Sequence, residues 1–371
     1  MGGKEGVVIV GAGIAGTSTA YFLARKGVHN ITLLETESVA GSSSSGRNAA
    51  ILRSAIPDAA LRGLARESAR FYRDPPKGFT SRPLLNRVGV YLVALAEHQQ
   101  SLLSWAIEGK GSEDTRLVDP QELYARVPVL APGITAALHA PDDGVMDVHE
   151  ILQSFLNGAS QAGAVLRLGC TATCLRVKGD KIVGVETSDG PLEAGMVVLA
   201  GGGWAALIAG KSGCPMPLVP HRRHLLVTNP LPQVDPRWPV VWCEGIEFYF
   251  RPESGGLLMC GCDTVPVSAE EGEKTDPNEI ERIALKAHRW LPSLINAGVA
   301  RAWAGMRTFA PDHRFVIGPD PRVQGLHWAA GLGGHGITCA PAVGRLAAEW
   351  IVEGKSDHPA ATVLLPGRFL Q

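Results

Sequence analysis

The chain has 371 residues, enough for two buried cores, and its charge is nearly balanced at 35 basic and 36 acidic side chains. That balance leaves no broad field to hold nucleic acid or an anionic membrane surface. The 7 cysteines include no CxxC pair, and no apolar run approaches the roughly 18 residues of a membrane span, so no metal centre, disulfide framework or transmembrane segment is expected. With no signal-like stretch at the start, a cytoplasmic monomer or homodimer is the expectation.

Val7 to Val10 reads as a buried parallel strand, followed by Gly11-Ala12-Gly13-Ile14-Ala15-Gly16 and a helix through Arg25. Gly27 closes that helix, and Ile31 to Leu34 give a second strand ending at Glu35. Further on, Val88 to Leu95 is strand-like, Val148 to Ala162 an amphipathic helix, and Gly169 to Val185 a meander turning at Lys178-Gly179-Asp180. Met196 to Ala200 is another buried strand, ending on Gly201-Gly202-Gly203-Trp204. Pro220 to Val265 is strand-rich, and Asn278 to Leu291 carries a core-facing helical stripe at Ile280, Ile283, Ala284, Ala287 and Leu291. Leu326 to Ala330 is a strand, Gly331 to Gly336 a glycine turn, and Ile337 to Ile351 a helix. Cys260 and Cys262 share a face if they lie on one strand.

Nucleotide-type strands thus recur at the start, near position 200 and at the end, with segments of another character between. The expected fold is α/β, a Rossmann-like nucleotide-binding domain from residues 1–80, 145–215 and 312–371. A smaller α+β substrate domain with a mainly antiparallel sheet would come from 81–144 and 216–311.

The GxGxxG run has the context that gives it meaning: a strand before, a helix after, and an acid at the end of the next strand. Gly11 permits the tight turn, Gly13 lets the backbone approach a pyrophosphate, and Gly16 lets helix and strand pack. The phosphates would sit on the helix N-terminus, and Glu35 would accept the ribose hydroxyls. FAD is favoured over NAD by two further segments. Ser42 to Ala50 is polar and glycine-containing, with Arg47 and Asn48 suited to the pyrophosphate and flavin edge. Gly331 to Thr338 is a second glycine turn opening a helix, whose positive end suits the charge of a reduced flavin. Contacts with the cofactor are expected at Gly11, Gly13, Ile14, Ala15, Gly16, Glu35 and Thr36. They are also expected at Ser44, Ser45, Gly46, Arg47, Asn48, Ala49 and Ala50, at Ala172, Ala200, Gly201, Gly202 and Trp204, and at Gly331, Gly333, Gly334, Gly336, Ile337 and Thr338.

GAGIAG at Gly11, SSGRNAA at Ser44, VVLAGGGW at Val197, AGMRTFAPD at Ala304 and GLGGHGIT at Gly331 together resemble the D-amino acid oxidase superfamily. Within it, RDPPKGF at Arg73, PLL at Pro83, HRRHLLV at His221, FYFRPESGGLL at Phe248 and WAGMRTF at Trp303 are similar to the D-amino acid dehydrogenases, D-arginine dehydrogenase above all. The resemblance implies non-covalent FAD and oxidative deamination of a D-amino acid, by hydride transfer from the α-carbon to flavin N5, with no side-chain base. It places Arg223 and Arg307 on the substrate carboxylate, Tyr249 beside them, and the Gly334 carbonyl on the amine. A guanidinium fork fits a carboxylate bidentately, and strand alternation favours Arg223 over Arg222. His335 could hydrogen-bond substrate or flavin, or be structural.

Departures from D-arginine dehydrogenase set the expected side chain. Val90 falls where that enzyme has an acid for the substrate guanidinium, and Ile51 and Ile56 replace a histidine and a tyrosine. A cationic side chain would go unpaired, so a small or apolar one is expected. Arg53 replaces a small hydroxyl residue, and is either outward or pyrophosphate-linked, or else a contact for an acidic substrate. The sarcosine-oxidase branch anchors its flavin through a cysteine, and Met306 to Ala310 have none. That branch also sets a lysine over the flavin for reaction with oxygen; Met259 lies near the position, which favours a quinone-type acceptor. The alternatives are a glycine- or sarcosine-type oxidase, a 2-hydroxy acid dehydrogenase, to which SGRNAA is also similar, or a non-catalytic flavoprotein subunit.

Overall fold

A computed structural model of the chain describes residues 6–108, 115–294 and 296–370. Val7–Val10 is buried along its whole length and lies between two parallel neighbours, Met196–Leu199 and Ile31–Leu34. Residues of this kind on both faces are what a central parallel strand needs. Outward from these run Leu326–Ala330 on one side and Val165–Arg167 on the other, and Val316–Pro319 closes the sheet as its one antiparallel strand.

Helices Ile14–Arg25 and Gly336–Val352 lie together on one face of this sheet, with Ala59–Arg73 and Val148–Gln161 packed around them. Their contact is close because Gly344 has no side chain: a Cβ there would stand 2.5 Å from the Ser18 backbone. On the other face, a three-stranded meander, Ala172–Lys178, Lys181–Thr187 and Gly190–Glu193, covers a second core. It turns at Lys178-Gly179-Asp180 as expected, and Gly179 takes the left-handed φ of 63° that the turn requires.

The other large sheet is mainly antiparallel and has nine strands among the described residues. From one edge, Val265–Pro266 adjoins Val219–Thr228, then come Gly256–Cys260, Phe248–Glu253, Val240–Cys243, Val90–Leu95, Ile134–Ala140 and Arg116–Val118. Val299–Phe309 pairs with Val219–Thr228 over the latter's whole length. All of its strands fall within 90–140 and 219–309, whereas those of the parallel sheet fall outside these ranges.

Two details differ from expectation. Helix Ala59–Arg73 was not anticipated, although Leu61, Leu64, Ala65, Ser68, Ala69 and Tyr72 make a buried helical stripe and the Asp58 carboxylate accepts the Leu61 N–H as a cap. Its four arginines obscure that stripe in a linear reading. Cys262 does not continue the strand of Cys260: the chain bulges, Cys262 has φ of 53°, and its N–H donates to the Cys260 sulfur.

Candidate active site

The first turn of the parallel sheet is built on two glycines. Gly11 has φ of 101°, and a Cβ on it would meet the Ala200 carbonyl at 2.7 Å. At Gly16 the added carbon would lie 1.9 Å from the Gly11 oxygen, so only glycine lets the helix approach the strand. The helix opens at Gly13 with no side-chain cap of its own, and the Ser45 hydroxyl accepts the Ile14 N–H instead at 2.9 Å.

This turn forms one wall of a cleft of about 650 Å³, within the range of roughly 300–1,000 Å³ usual for cofactor-sized ligands. Glu35, Thr36 and Ala172 line one end. The middle is lined by Gly11, Gly13, Ile14, Ala15, Ser44, Ser45, Arg47, Asn48, Ala200, Gly201, Gly202 and Trp204. Gly331, Gly333, Gly334, Gly336 and Ile337 line the other end, beside Met306, Arg307 and Thr308 of the antiparallel sheet. A helix start whose own N-cap residue is a glycine, an acid at the far end and a long glycine-walled trough together fit an extended dinucleotide.

Five expected contacts stand back from that wall. Gly16 packs on Gly11, and Gly46 on the Gly41 carbonyl. The Ala49 carbonyl accepts from Arg251, and Ala50 bridges to Met146 with φ of 55°. The Thr338 hydroxyl donates to the Ile51 carbonyl, tying the last helix to the strand at Ile51. These five shape the trough from behind.

Sequence reading did not foresee a second wall, the loop that carries Ala269, Glu270 and Glu273 over the middle of the cleft. There Glu273 takes a hydrogen bond from Ser43 at 2.5 Å and pairs with Arg47 at 2.9 Å. No local motif marks a loop that reaches the cleft from the other sheet.

On the inner face of the antiparallel sheet, the register sets His221 opposite Arg307 and Arg223 opposite Gly305. Arg223 and Arg307 are therefore diagonal neighbours on one side. Arg222 faces away and donates to the Glu271 carbonyl. Arg307 is buried, and among the described residues its guanidinium has only the Met306 and Arg47 carbonyls as hydrogen-bond acceptors. Burial lowers its pKa, with the Arg223 charge adding to the effect and Tyr249 opposing it. Tyr249 lies beside both arginines, and burial pushes its phenol well above the usual tyrosine value.

Tyr249 stacks on Trp242 with centroids 4.3 Å apart, and the Arg53 guanidinium lies 4.3 Å over the other ring face. Neither reading of Arg53 as outward or phosphate-linked fits: it is buried, donates to the Ala55 carbonyl and pairs with Glu244 at 2.9 Å. His335 occupies the helix N-cap without capping through its ring. Desolvation, then the Arg53 and Arg223 charges, lower its pKa to about 3, so the ring is neutral. Gly334 beside it is open, with nothing within 4 Å of a would-be Cβ.

Three residues do not stand where the resemblance implied. Val90 has no exposed surface and sits in a closed cluster behind Ile51 and Trp242. Ile56 is sealed among the helices of the parallel sheet, and only Ile51 of the pair remains partly exposed. Met259 pairs with Leu226 and Phe250 and joins the core on the far side of the sheet, so it does not overlook the cleft. Cys339 is fully buried in the last helix, near the Leu61 carbonyl.

Residues 6–350 match the family model described as FAD dependent oxidoreductase. Glycine oxidase of Pseudomonas aeruginosa is 31% identical over 93% of this chain and 94% of its own length. Dimethylglycine dehydrogenase of Mus musculus is 27% identical over 94% of this chain, which spans only 42% of that longer protein. The chain likewise spans 44% of 4-methylaminobutanoate oxidase of Paenarthrobacter nicotinovorans. Among solved structures, L-proline dehydrogenase from P. horikoshii superposes with a TM-score of 0.89 at 26% identity, covering 100% of this chain and 99% of the other. The chain belongs to the DAO family of FAD-dependent oxidoreductases.

Proposed function

We propose that this protein oxidises the C–N bond of a small α-amino acid, taking the D enantiomer where the carbon is chiral. One observation carries the reading. Arg307, at the cleft end lined by Gly333 and Gly334, is a buried cation whose only hydrogen-bond acceptors among the described residues are two backbone carbonyls, with Arg223 and Tyr249 close enough to act on its charge. Buried charge without a counter-ion is costly, and a ligand carboxylate offsets that cost while accepting bidentate hydrogen bonds.

FAD supplies the two-electron acceptor when bound. The chain's own residues do the rest. Arg307, Arg223 and Tyr249 fix the carboxylate and thereby the α-carbon; the Gly334 carbonyl accepts from the amine; neutral His335 adds no charge that would oppose it. The Trp242–Tyr249 stack, capped by the Arg53–Glu244 pair, packs bulky groups next to Tyr249, which in this reading favours a small side chain. The D preference rests on the similarity of the motifs around His221 and Phe248 to D-amino acid dehydrogenases.

A secondary amine such as N-methylglycine is the second reading, supported by the similarity to L-proline dehydrogenase, whose named substrate is a secondary amine. Because Met259 faces the other core, that position carries no preference between oxygen and a quinone.

The decisive experiment mixes the purified holoprotein anaerobically with glycine, N-methylglycine, L-proline, D- and L-alanine, and hydroxy acids, and follows flavin absorbance. Bleaching by glycine or D-alanine is the expected result. Bleaching by hydroxy acids alone overturns the proposal. Repeating the assay in air, with peroxide measured, identifies the acceptor.

A further inference from the structure

Beside the arginine pair lies a buried polar relay that the reading above does not use. His224 directly follows Arg223 and is 1% exposed, with its side chain on the opposite face of the strand. Its Nε2 accepts the Asp276 N–H at 2.9 Å, which leaves Nδ1 to carry the proton. Nδ1 lies 2.8 Å from Asp263 Oδ2, and the His224 backbone N–H donates to Oδ1 of the same carboxylate, also at 2.8 Å.

Asp263 sits in the bulge after Gly256–Cys260, where the neighbour of Val219–Thr228 changes from that strand to Val265–Pro266. It straddles the strand. Its carboxylate is held by His224 on one face, and its backbone carbonyl accepts from Arg223 Nε at 3.1 Å on the other. That is the one hydrogen bond recorded for the Arg223 side chain among the described residues. Burial works against the Asp263 charge, but the two His224 hydrogen bonds together with nearby positive charge, that of Arg223 included, outweigh it and the carboxyl pKa is lowered.

We infer that His224 and Asp263 are positioning residues: by clamping the Asp263 main chain, the imidazole fixes the rotamer of Arg223 and so its grip on the substrate carboxylate. This rests on the reading of Arg223 as a carboxylate ligand. Physically, a guanidinium on a long flexible stem loses rotamer entropy whenever it binds. A carbonyl held from behind makes that loss before the ligand arrives. His224 touches neither substrate nor cofactor, so its effect should appear in binding.

The two halves of the imidazole separate by substitution. His224→Asn places an amide N–H where Nδ1 stood and keeps the donor to Asp263. His224→Gln reaches the Asp276 N–H and loses that donor. The probe is acetate, titrated anaerobically into each FAD-loaded variant and read from the visible flavin spectrum, alongside KM and kcat for the fastest amino acid.

Expected for His224→Gln is about tenfold weaker acetate binding and a matching rise in KM, with kcat changed less than about threefold, the size of one hydrogen bond to a charged group. His224→Asn should recover most of that loss, and Asp263→Asn should reproduce it. Arg223→Ala serves as the reference. If it leaves acetate binding intact, the carboxylate reading of Arg223 fails and the inference with it. If Arg223→Ala weakens acetate but His224→Gln and Asp263→Asn do not, the inference alone is overturned. Equal losses in both His224 variants, accompanied by lower melting temperatures, would mean that the relay merely holds the loop, and would also overturn it.

Discussion

Arg223 and Arg307 stand diagonally across one antiparallel strand pair, each two residues from the other's partner and so on the same face, and Arg307 lines the cleft end that holds Gly333 and Gly334. Two like charges in a buried site repel one another, and a ligand anion offsets that repulsion beyond what the nearby Asp263 carboxylate already supplies. Arg307→Ala should therefore lower kcat/KM by about 100-fold or more, the usual scale for removing one partner of a buried charge pair. Flavin content should be unchanged. Arg222→Ala, on the opposite face, should leave kcat/KM within about twofold. Steady-state kinetics with visible spectra check both.

The Gly11–Gly16 approach leaves no room for a methyl group, since the new carbon would overlap the Gly11 oxygen at 1.9 Å. Gly16→Ala is expected to cost more than about 3 kcal/mol or to yield protein without flavin. Gly27→Ala is the contrast: there the space is open, and only the left-handed φ of 82° opposes the change, at about 1 kcal/mol. Melting temperature and the ratio of flavin to protein absorbance distinguish them.

Glu273 reaches the cleft from the other sheet and is held by Arg47 and Ser43. Both partners of the ion pair are about a third exposed, which limits its worth to roughly 1 kcal/mol. Glu273→Ala should weaken FAD retention by up to about fivefold. The difference from wild type should shrink in 1 M salt, as screening removes what remains of the pair. Flavin release followed by fluorescence during dilution measures it.

His327 lies in the strand Leu326–Ala330, buried, with its Nδ1 unpartnered, and burial lowers its pKa from 6.5 to about 4. Above pH 6.5 the ring is neutral whether the chain is folded or not, so it has no effect on the pH dependence. As pH falls from 6.5 to 4 the unfolded chain takes up the proton and the folded chain does not, and stability is lost over that window. The loss reaches about 3 kcal/mol before levelling off below pH 4. His327→Leu should flatten the decline of melting temperature across that range relative to wild type. An unchanged slope would mean the ring is not buried as described.

How much of this was legible beforehand follows from which parts are local. The strand at Val7, the glycines at 11, 13 and 16, the acid at 35 and the closing turn at Gly331 each lie within one short segment, so their spacing alone prescribes the turn, the helix start and the nucleotide-sized trough. Even the choice of Arg223 over Arg222 needed only the two-residue period of a strand.

What the chain could not disclose in one dimension depends on register and on loops that cross between sheets. Met259 lies on a strand of the same sheet as the site but faces the core on its other side, because which face a strand residue takes depends on its partner's register, whereas Val90 shares the face of Trp242 and is closed off by Ile51 and Trp242 packed over it. Arg53, Trp242 and Glu244 form one stack from segments nearly 200 residues apart, and Asp263 holds both faces of a strand through a bulge with no sequence signature. Local spacing determined the nucleotide-binding half of this protein, and long-range packing decided how the antiparallel sheet and its arginines are arranged beside it.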